Sequence, residues 1–158
     1  AQGARQGLRY DPDMGSIARL SCSSSGWAWL STLKDDAALK LVSQQGLGMP
    51  QEFGPNAPKT LKALLKALQE TRKAGYALTE ETYTAGLNAI AVPVGLAGQL
   101  PMGTISVAGP SSRLTHERMM SMVPQLLSAA AQLAAASGAS PMLSRGSSKS
   151  SLQPIYAA

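Results

Sequence analysis

Residues 14–32 read MGSIARLSCSSSGWAWLST. A short strand-like run, residues 17–20, stops at Ser21 and gives way to Cys22, three serines and a glycine. The chain then turns apolar and aromatic at Trp27, Trp29 and Leu30. This change predicts a strand that delivers the chain into a buried helical piece over residues 26–33. Small hydroxylated residues and bare backbone N–H groups then sit at the junction, an arrangement suited to a polar or anionic small molecule.

The bulk properties frame that reading. A chain of 158 residues is one domain's worth. Apolar residues make up 44% and aromatic ones 4%, so the core is built mainly from Leu, Ala, Val, Ile and Met. A formal charge of +5 and a pI near 9.6 raise the question of nucleic acid. Yet the basic residues are scattered from Arg5 to Lys149, without aromatic interleaving, zinc-finger spacing or a helix-turn-helix pair. A solvated surface is the better reading. One cysteine excludes an internal disulfide framework and a cysteine-based zinc site, in keeping with a reducing cytoplasm. No unbroken apolar run reaches the roughly 20 residues of a membrane helix. The polar opening lacks signal-peptide organisation, and its first residue, Ala rather than Met, suggests a piece of a longer protein.

Working outward from the junction, Leu8 and Tyr10 end an edge strand, and Asp11, Pro12, Asp13 and Gly15 read as a turn. Residues 35–45 form a helix with acids in its first turn, ended by Gly46 and Gly48. Residues 50–56 are a loop. Pro58 opens the next helix, on which Leu61, Leu64, Leu65 and Leu68 recur at helical spacing before Gly75 stops it. Tyr76 and Leu78 suggest a short strand, and residues 79–86 a loop or helical turn. Two apolar runs, residues 90–94 and 102–108, flank a Gly/Pro-containing connection and predict an antiparallel hairpin ended by Gly109 and Pro110. Thr115 caps a last helix, and Pro124 inside it predicts a kink or a restart. From residue 137 onward Ser, Gly and Pro dominate, the composition of a flexible tail.

Three stretches in order carry a resemblance. LRYDPDMGSIARLSCSSSGWAWLSTL (residues 8–33), AGYALTEETYTAGLNAIAVPV (residues 74–94) and MGTISVAGPSSRLT (residues 102–115) resemble successive parts of IclR-family bacterial transcription regulators. The match runs over roughly residues 8–136. It implies an α/β (α+β) effector domain of the GAF and profilin-like kind, with a curved antiparallel sheet flanked by helices. Residues 1–136 would be a partial effector-binding domain and residues 137–158 a flexible tail. A winged helix-turn-helix and the first part of the effector domain would precede the chain. DNA binding would then belong to that missing part, and the intact protein would be a cytoplasmic homodimer or homotetramer with no cofactor and no membrane association.

The same resemblance places an effector between the junction and the facing sheet. Ser21, Cys22, Ser23, Ser24, Ser25, Gly26 and Trp27 form one wall, and Thr79, Ala89, Ser106 and Ala108 the other. Backbone N–H groups near Ser24, Ser25 and Gly26 can hold a carboxylate through charge-assisted bonds. Helix capping by a serine is the plainer alternative for the same residues. Similar proteins carry an acidic contact where Thr79 stands, cysteine at Ala89 and serine at Ala108. These departures remove polar groups and favour an aromatic or medium-sized carboxylate over a very small one such as glyoxylate. Trp27 and Trp29 point different ways on a helix, one walling the cavity and the other serving the core or a dimer surface. Cys22 has no acid or base near it in sequence, so a buried lining role is preferred to catalysis. The lone His116 and the adjacent Glu80 and Glu81 read as surface groups. Two other classes stand beside effector sensing: a GAF-like enzyme using Cys22, and a structural dimerisation domain without ligand.

Overall fold

The two apolar runs flanking the Gly/Pro connection pair as antiparallel neighbours in the computed structural model, which describes residues 19–96 and 99–139. Strands β1 (Ala77–Glu80), β2 (Leu87–Val94) and β3 (Gly103–Pro110) form one antiparallel sheet in the order β1-β2-β3. The hairpin is longer than its apolar runs suggest, because Leu87 pairs with Pro110 and Val94 with Gly103. Gly109 and Pro110 thus belong to β3 rather than ending it. β3 is the outer strand among the described residues, where a proline that cannot donate is tolerated. Thr79 and Glu80, expected in a loop or helical turn, complete β1 by pairing with Ala89 and Asn88.

Helices cover both faces. α1 (Ser24–Leu30) starts two residues earlier and ends three earlier than its aromatic run suggests, because the Ser23 side chain caps it. The strand expected just before it falls partly outside the described residues; Arg19 and Leu20 lie in coil and turn. α2 (Asp35–Gln45) has the bounds its sequence implies, with Asp35 and Asp36 in the first turn. α3 (Leu61–Ala74) begins after Thr60, whose hydroxyl accepts the Ala63 N–H at 3.1 Å, so the helix starts three residues beyond Pro58. Gly75 ends it at φ 80°, a left-handed backbone that glycine adopts without steric cost. A short 3-10 turn, Pro50–Glu52, interrupts the loop between α2 and α3.

Alternation along the strands separates two cores. Ala77 and Ala91 face α1, α2 and α3, where Trp27, Ala28, Leu30, Ala38, Val42, Leu64 and Leu68 are buried together. Ile90, Val92 and Val94 face the opposite way, against Leu114, Met119, Leu126, Ala130 and Ala134. Each fully buried leucine contributes about 1.5–3 kcal/mol by leaving water. Alanines on the α1 side let a short helix lie close to the sheet. Trp27 is buried in this cluster, and Trp29 is partly buried against it.

Long-range polar bonds fix α1 and α2 against α3. Arg72 Nε donates to the Ser31 carbonyl at 2.8 Å, and its Nη2 donates to Leu33 O at 2.8 Å and Asp35 Oδ1 at 2.9 Å. Gln69 Nε2 donates to Asp35 Oδ2 at 3.1 Å. These bonds, from Gln69 first and then Arg72, hold the Asp35 carboxyl below its ordinary range.

α4 (His116–Ala139) runs through Pro124 as one helix, with no restart. Pro124 is exposed, so the Met120 carbonyl it leaves without a donor faces water. By length and composition alone, residues His116–Ser137 of α4 are long and apolar enough to cross a bilayer. Ser, Gln and Pro interrupt the apolar run in the sequence, while alanine and methionine keep its average high. Its buried stripe of Met119, Leu126, Ala130 and Ala134 packs on the sheet. The helix enters the stretch read as a tail, and the rest of that stretch, like residues 1–18, lies outside the described residues.

Candidate functional site

The turn before α1 is built almost wholly from directed hydrogen bonds. Leu20 N–H donates to Gln45 Oε1 at 2.9 Å, and Ser21 Oγ donates to the Leu47 carbonyl at 3.2 Å. The Ser21 carbonyl accepts the Trp27 indole N–H at 2.9 Å, and the Cys22 carbonyl accepts Thr82 Oγ1 at 2.5 Å. Ser23 is extended, at φ −92° and ψ 146°, as an N-cap must be. Its hydroxyl accepts the Gly26 N–H at 3.1 Å and donates to Arg19 O at 2.7 Å.

These bonds sort the junction residues. The hydroxyls of Ser21 and Ser23 are engaged by backbone groups, and the Trp27 indole N–H is spent on Ser21. The Trp27 ring is buried in the core cluster. The N–H groups of Ser24 and Ser25, the first two of α1, meet no acceptor among the described residues, nor do their hydroxyls. No acidic side chain occupies the first turn of α1. The positive end of the helix is therefore left without an anion of its own.

Cys22 is 1% exposed. Burial pushes its thiol up to about 11, against smaller lowering influences from the Ser21 side chain and the Arg19 charge. A thiol held there is almost wholly protonated at neutral pH and so is a weak nucleophile. Native protein at pH 8 is accordingly expected to react with iodoacetamide at least tenfold more slowly than the denatured chain, followed by mass spectrometry. Equal rates would show an accessible thiolate.

On the sheet, Thr79, Ala89 and Ala108 form one cross-strand row, and Ala91 and Ser106 pair in the next row of the same face. α1 packs on that face, so both sets of expected site residues lie on one side of the sheet. The row changes character across the strands. Thr79 is buried and its Oγ1 donates to the Ala89 carbonyl at 3.2 Å, Ala89 is half-buried, and Ser106 and Ala108 are exposed. The β3 end of this wall is uncovered by the described residues.

Two cavities lie elsewhere. One of about 420 Å³ is at the far end of α1, lined by Thr32, Pro93, Gly95, Leu96, Gln99, Leu100 and Pro101. Another of about 170 Å³ lies in the loop after α2, among Leu47, Gly48, Phe53, Gly54, Pro55, Ala57, Pro58 and Lys59. No expected site residue lines either one. The first is the larger, but among the described residues its lining offers only Thr32 and Gln99 as polar side chains and no charged one. The unspent donors of α1 carry the more specific chemistry.

Sequence reasoning missed two neighbours of the junction. Arg19 places a cation near Cys22. Thr82, sixty positions along the chain, is tied to Cys22. Nothing in local periodicity points to Thr82; for Arg19 the proximity in sequence was available. Among the surface groups, His116 Nδ1 lies 3.3 Å from Glu80 Oε1, while Glu81 Oε2 accepts the Gly86 N–H at 3.0 Å.

Comparison with known proteins gives a consistent picture. The family described as bacterial transcriptional regulator IclR C-terminal matches residues 3–135. The HTH-type transcriptional repressor AllR of Escherichia coli (strain K12) is 34% identical over 114 residues, which cover 72% of this chain and 41% of that protein. The chain thus spans less than half the length of the curated relatives it matches. The C-terminal domain of the E. coli transcriptional regulator KdgR superimposes with a TM-score of 0.65 at 25% identity, over 73% of this chain and 69% of that one. A double mutant of the PobR inducer binding domain from Acinetobacter, in complex with 3-hydroxybenzoic acid, shares the fold at a TM-score of 0.69 and 24% identity, over 84% of this chain and 77% of that one.

Proposed function

This chain belongs to the bacterial transcriptional regulator IclR C-terminal family, and from that premise we propose that it senses a small organic acid and thereby sets the DNA affinity of the protein that carries it. The observation that carries this reading is the pair of unspent N–H groups at Ser24 and Ser25, on the α1 side of the Thr79–Ala89–Ala108 row. An effector carboxylate accepts from these two donors, with the Arg19 charge nearby. Its body lies toward Ala89 and Ala108, which offer methyl groups and no hydrogen bonds. An aromatic carboxylate fits that division better than glyoxylate, whose every oxygen needs a donor. The compound in the PobR complex, 3-hydroxybenzoic acid, is of this kind.

In this account residues 1–136 are the later part of an effector domain, and its earlier part supplies the cover over Ser106 and Ala108. A DNA-binding domain precedes both, the intact protein is a cytoplasmic dimer or tetramer, and the signal is a difference in effector affinity between two subunit arrangements. The protonated, buried thiol of Cys22 speaks for regulation rather than catalysis.

Calorimetric titration of the full-length protein tests the ligand class, using benzoate, 3-hydroxybenzoate and glyoxylate with benzyl alcohol as a neutral control. Hydrogen bonds to a charged group contribute about 1.5–3 kcal/mol each. Benzoate is therefore expected to bind at least tenfold more tightly than benzyl alcohol, and glyoxylate more weakly than either benzoate. Absence of saturable binding by all three acids would overturn the reading.

A further inference from the structure

The bend between β1 and β2 is tied down on several sides. Glu81 N–H donates to Leu87 O at 2.9 Å, Gly86 N–H to Glu81 Oε2 at 3.0 Å, and Ser111 N–H to Gly86 O at 2.8 Å. From the loop after α2, Gly54 N–H donates to Thr82 O at 3.1 Å and Asn56 Nδ2 to Glu80 O at 2.9 Å. Glu81 holds φ 52°, the one positive φ at a non-glycine among the described residues. A glutamate persists in that region only where its surroundings over-determine it, as these bonds do.

The bend presents Thr82 to the junction. Thr82 is 4% exposed and gives its hydroxyl proton to the Cys22 carbonyl. The N–H of the same Cys22–Ser23 peptide donates to Arg19 O at 3.3 Å. Both ends of that peptide plane are therefore held, one by Arg19 and the other by Thr82. The next residue is the N-cap of α1, and the two after it carry the unspent N–H groups. A rotation of this plane would turn Ser23 out of its cap geometry and re-aim Ser24 and Ser25.

We infer that Thr82 is a positioning residue of the effector site: it touches no ligand, and its bond to Cys22 fixes the direction in which the Ser24 and Ser25 N–H groups point. The inference rests on the reading of those two groups as the effector's anchor. It makes the β1–β2 bend part of the site's machinery, although its sequence carries no signal of that role.

Thr82→Val removes the hydroxyl at nearly constant shape, and Thr82→Ser keeps it. Both are compared in the full-length protein by titration with 3-hydroxybenzoate and by hydrogen exchange at the Gly26 and Trp27 amides, which bond to Ser23. Thr82→Ser is expected to bind within twofold of the parent. Thr82→Val is expected to bind at least tenfold more weakly and to exchange Gly26 and Trp27 at least tenfold faster, with α3 amides unchanged. If Thr82→Val does not fold, Thr82→Ala repeats the test without added apolar bulk. Parent-like affinity in the variant lacking the hydroxyl would overturn the positioning role and leave the effector reading standing. If the parent binds no carboxylate, the effector reading fails, and unchanged exchange at Gly26 and Trp27 then overturns the positioning role separately.

Discussion

Gly54→Ala is expected to destabilise the protein by about 3 kcal/mol, the upper end of ordinary overpacking costs. A Cβ at Gly54 would overlap the Glu81 carbonyl oxygen and lie 2.6 Å from its carbon and 3.0 Å from the Thr84 carbonyl carbon. These are backbone atoms, and the bend that contains them is held by the bonds already described, so neither side yields cheaply. Domains are stable by only about 5–15 kcal/mol, so a loss of this size is a large fraction of the whole. Chemical denaturation measures it. Gly86→Ala is the comparison: Gly86 has φ 75° and nothing within 4 Å of its Cβ position, so only backbone strain of about 1–2 kcal/mol applies. A Gly54 variant less affected than the Gly86 variant would mean that the loop and the bend are not in close contact.

Gly26→Ala strikes the site itself. A Cβ there would lie 2.5 Å from Leu20 O, 2.6 Å from Leu20 Cα and 2.8 Å from Ser23 Oγ. Inside a helix, alanine is otherwise favoured over glycine by up to about 1 kcal/mol, so a stabilised variant is the outcome if the space is free. The close approach makes the opposite sign the expected one, a loss of about 2 kcal/mol by overpacking. The atoms that must move are the turn and the cap of α1, so binding of 3-hydroxybenzoate is expected to fall by at least tenfold. Thermal denaturation and calorimetry on the same preparation read both effects. A variant more stable than its parent would contradict the packing described for the junction.

Local signals were read well where local physics decides. The acids at 35 and 36 and the glycine at 46 gave α2 its ends, and the Gly/Pro connection between two apolar runs gave the hairpin. Errors of extent arose where one side chain chose between adjacent positions. Ser23 and Thr60 each accept a helix N–H, which moved the starts of α1 and α3 away from the places suggested by the aromatic run and by Pro58. The pairing of Leu87 with Pro110 carried β3 through residues that usually end a strand.

The candidate site was legible as two stretches of sequence, and its inner wiring was not. Ser21 and Ser23 look like ligand donors in the sequence, and only the fold reveals that Leu47, Arg19 and Gly26 claim their hydroxyls. Ser24 and Ser25 are left by elimination. Thr82 and Arg72 act across sixty and about forty residues of chain, a range over which neither periodicity nor capping carries information. The alanines at 89 and 108 were readable as lost polarity, but the exposure of the β3 end of that wall depends on what covers the sheet.

The central claim is that the effector's carboxylate is held by the first N–H groups of α1. Amide chemical shifts of the full-length protein during titration with 3-hydroxybenzoate test it most directly. The account predicts saturable shifts largest at Ser24 and Ser25, with smaller ones at Ala89 and Ala108. Shifts confined to Thr32, Leu96 and Leu100, around the cavity at the other end of α1, with Ser24 and Ser25 unmoved, would contradict it.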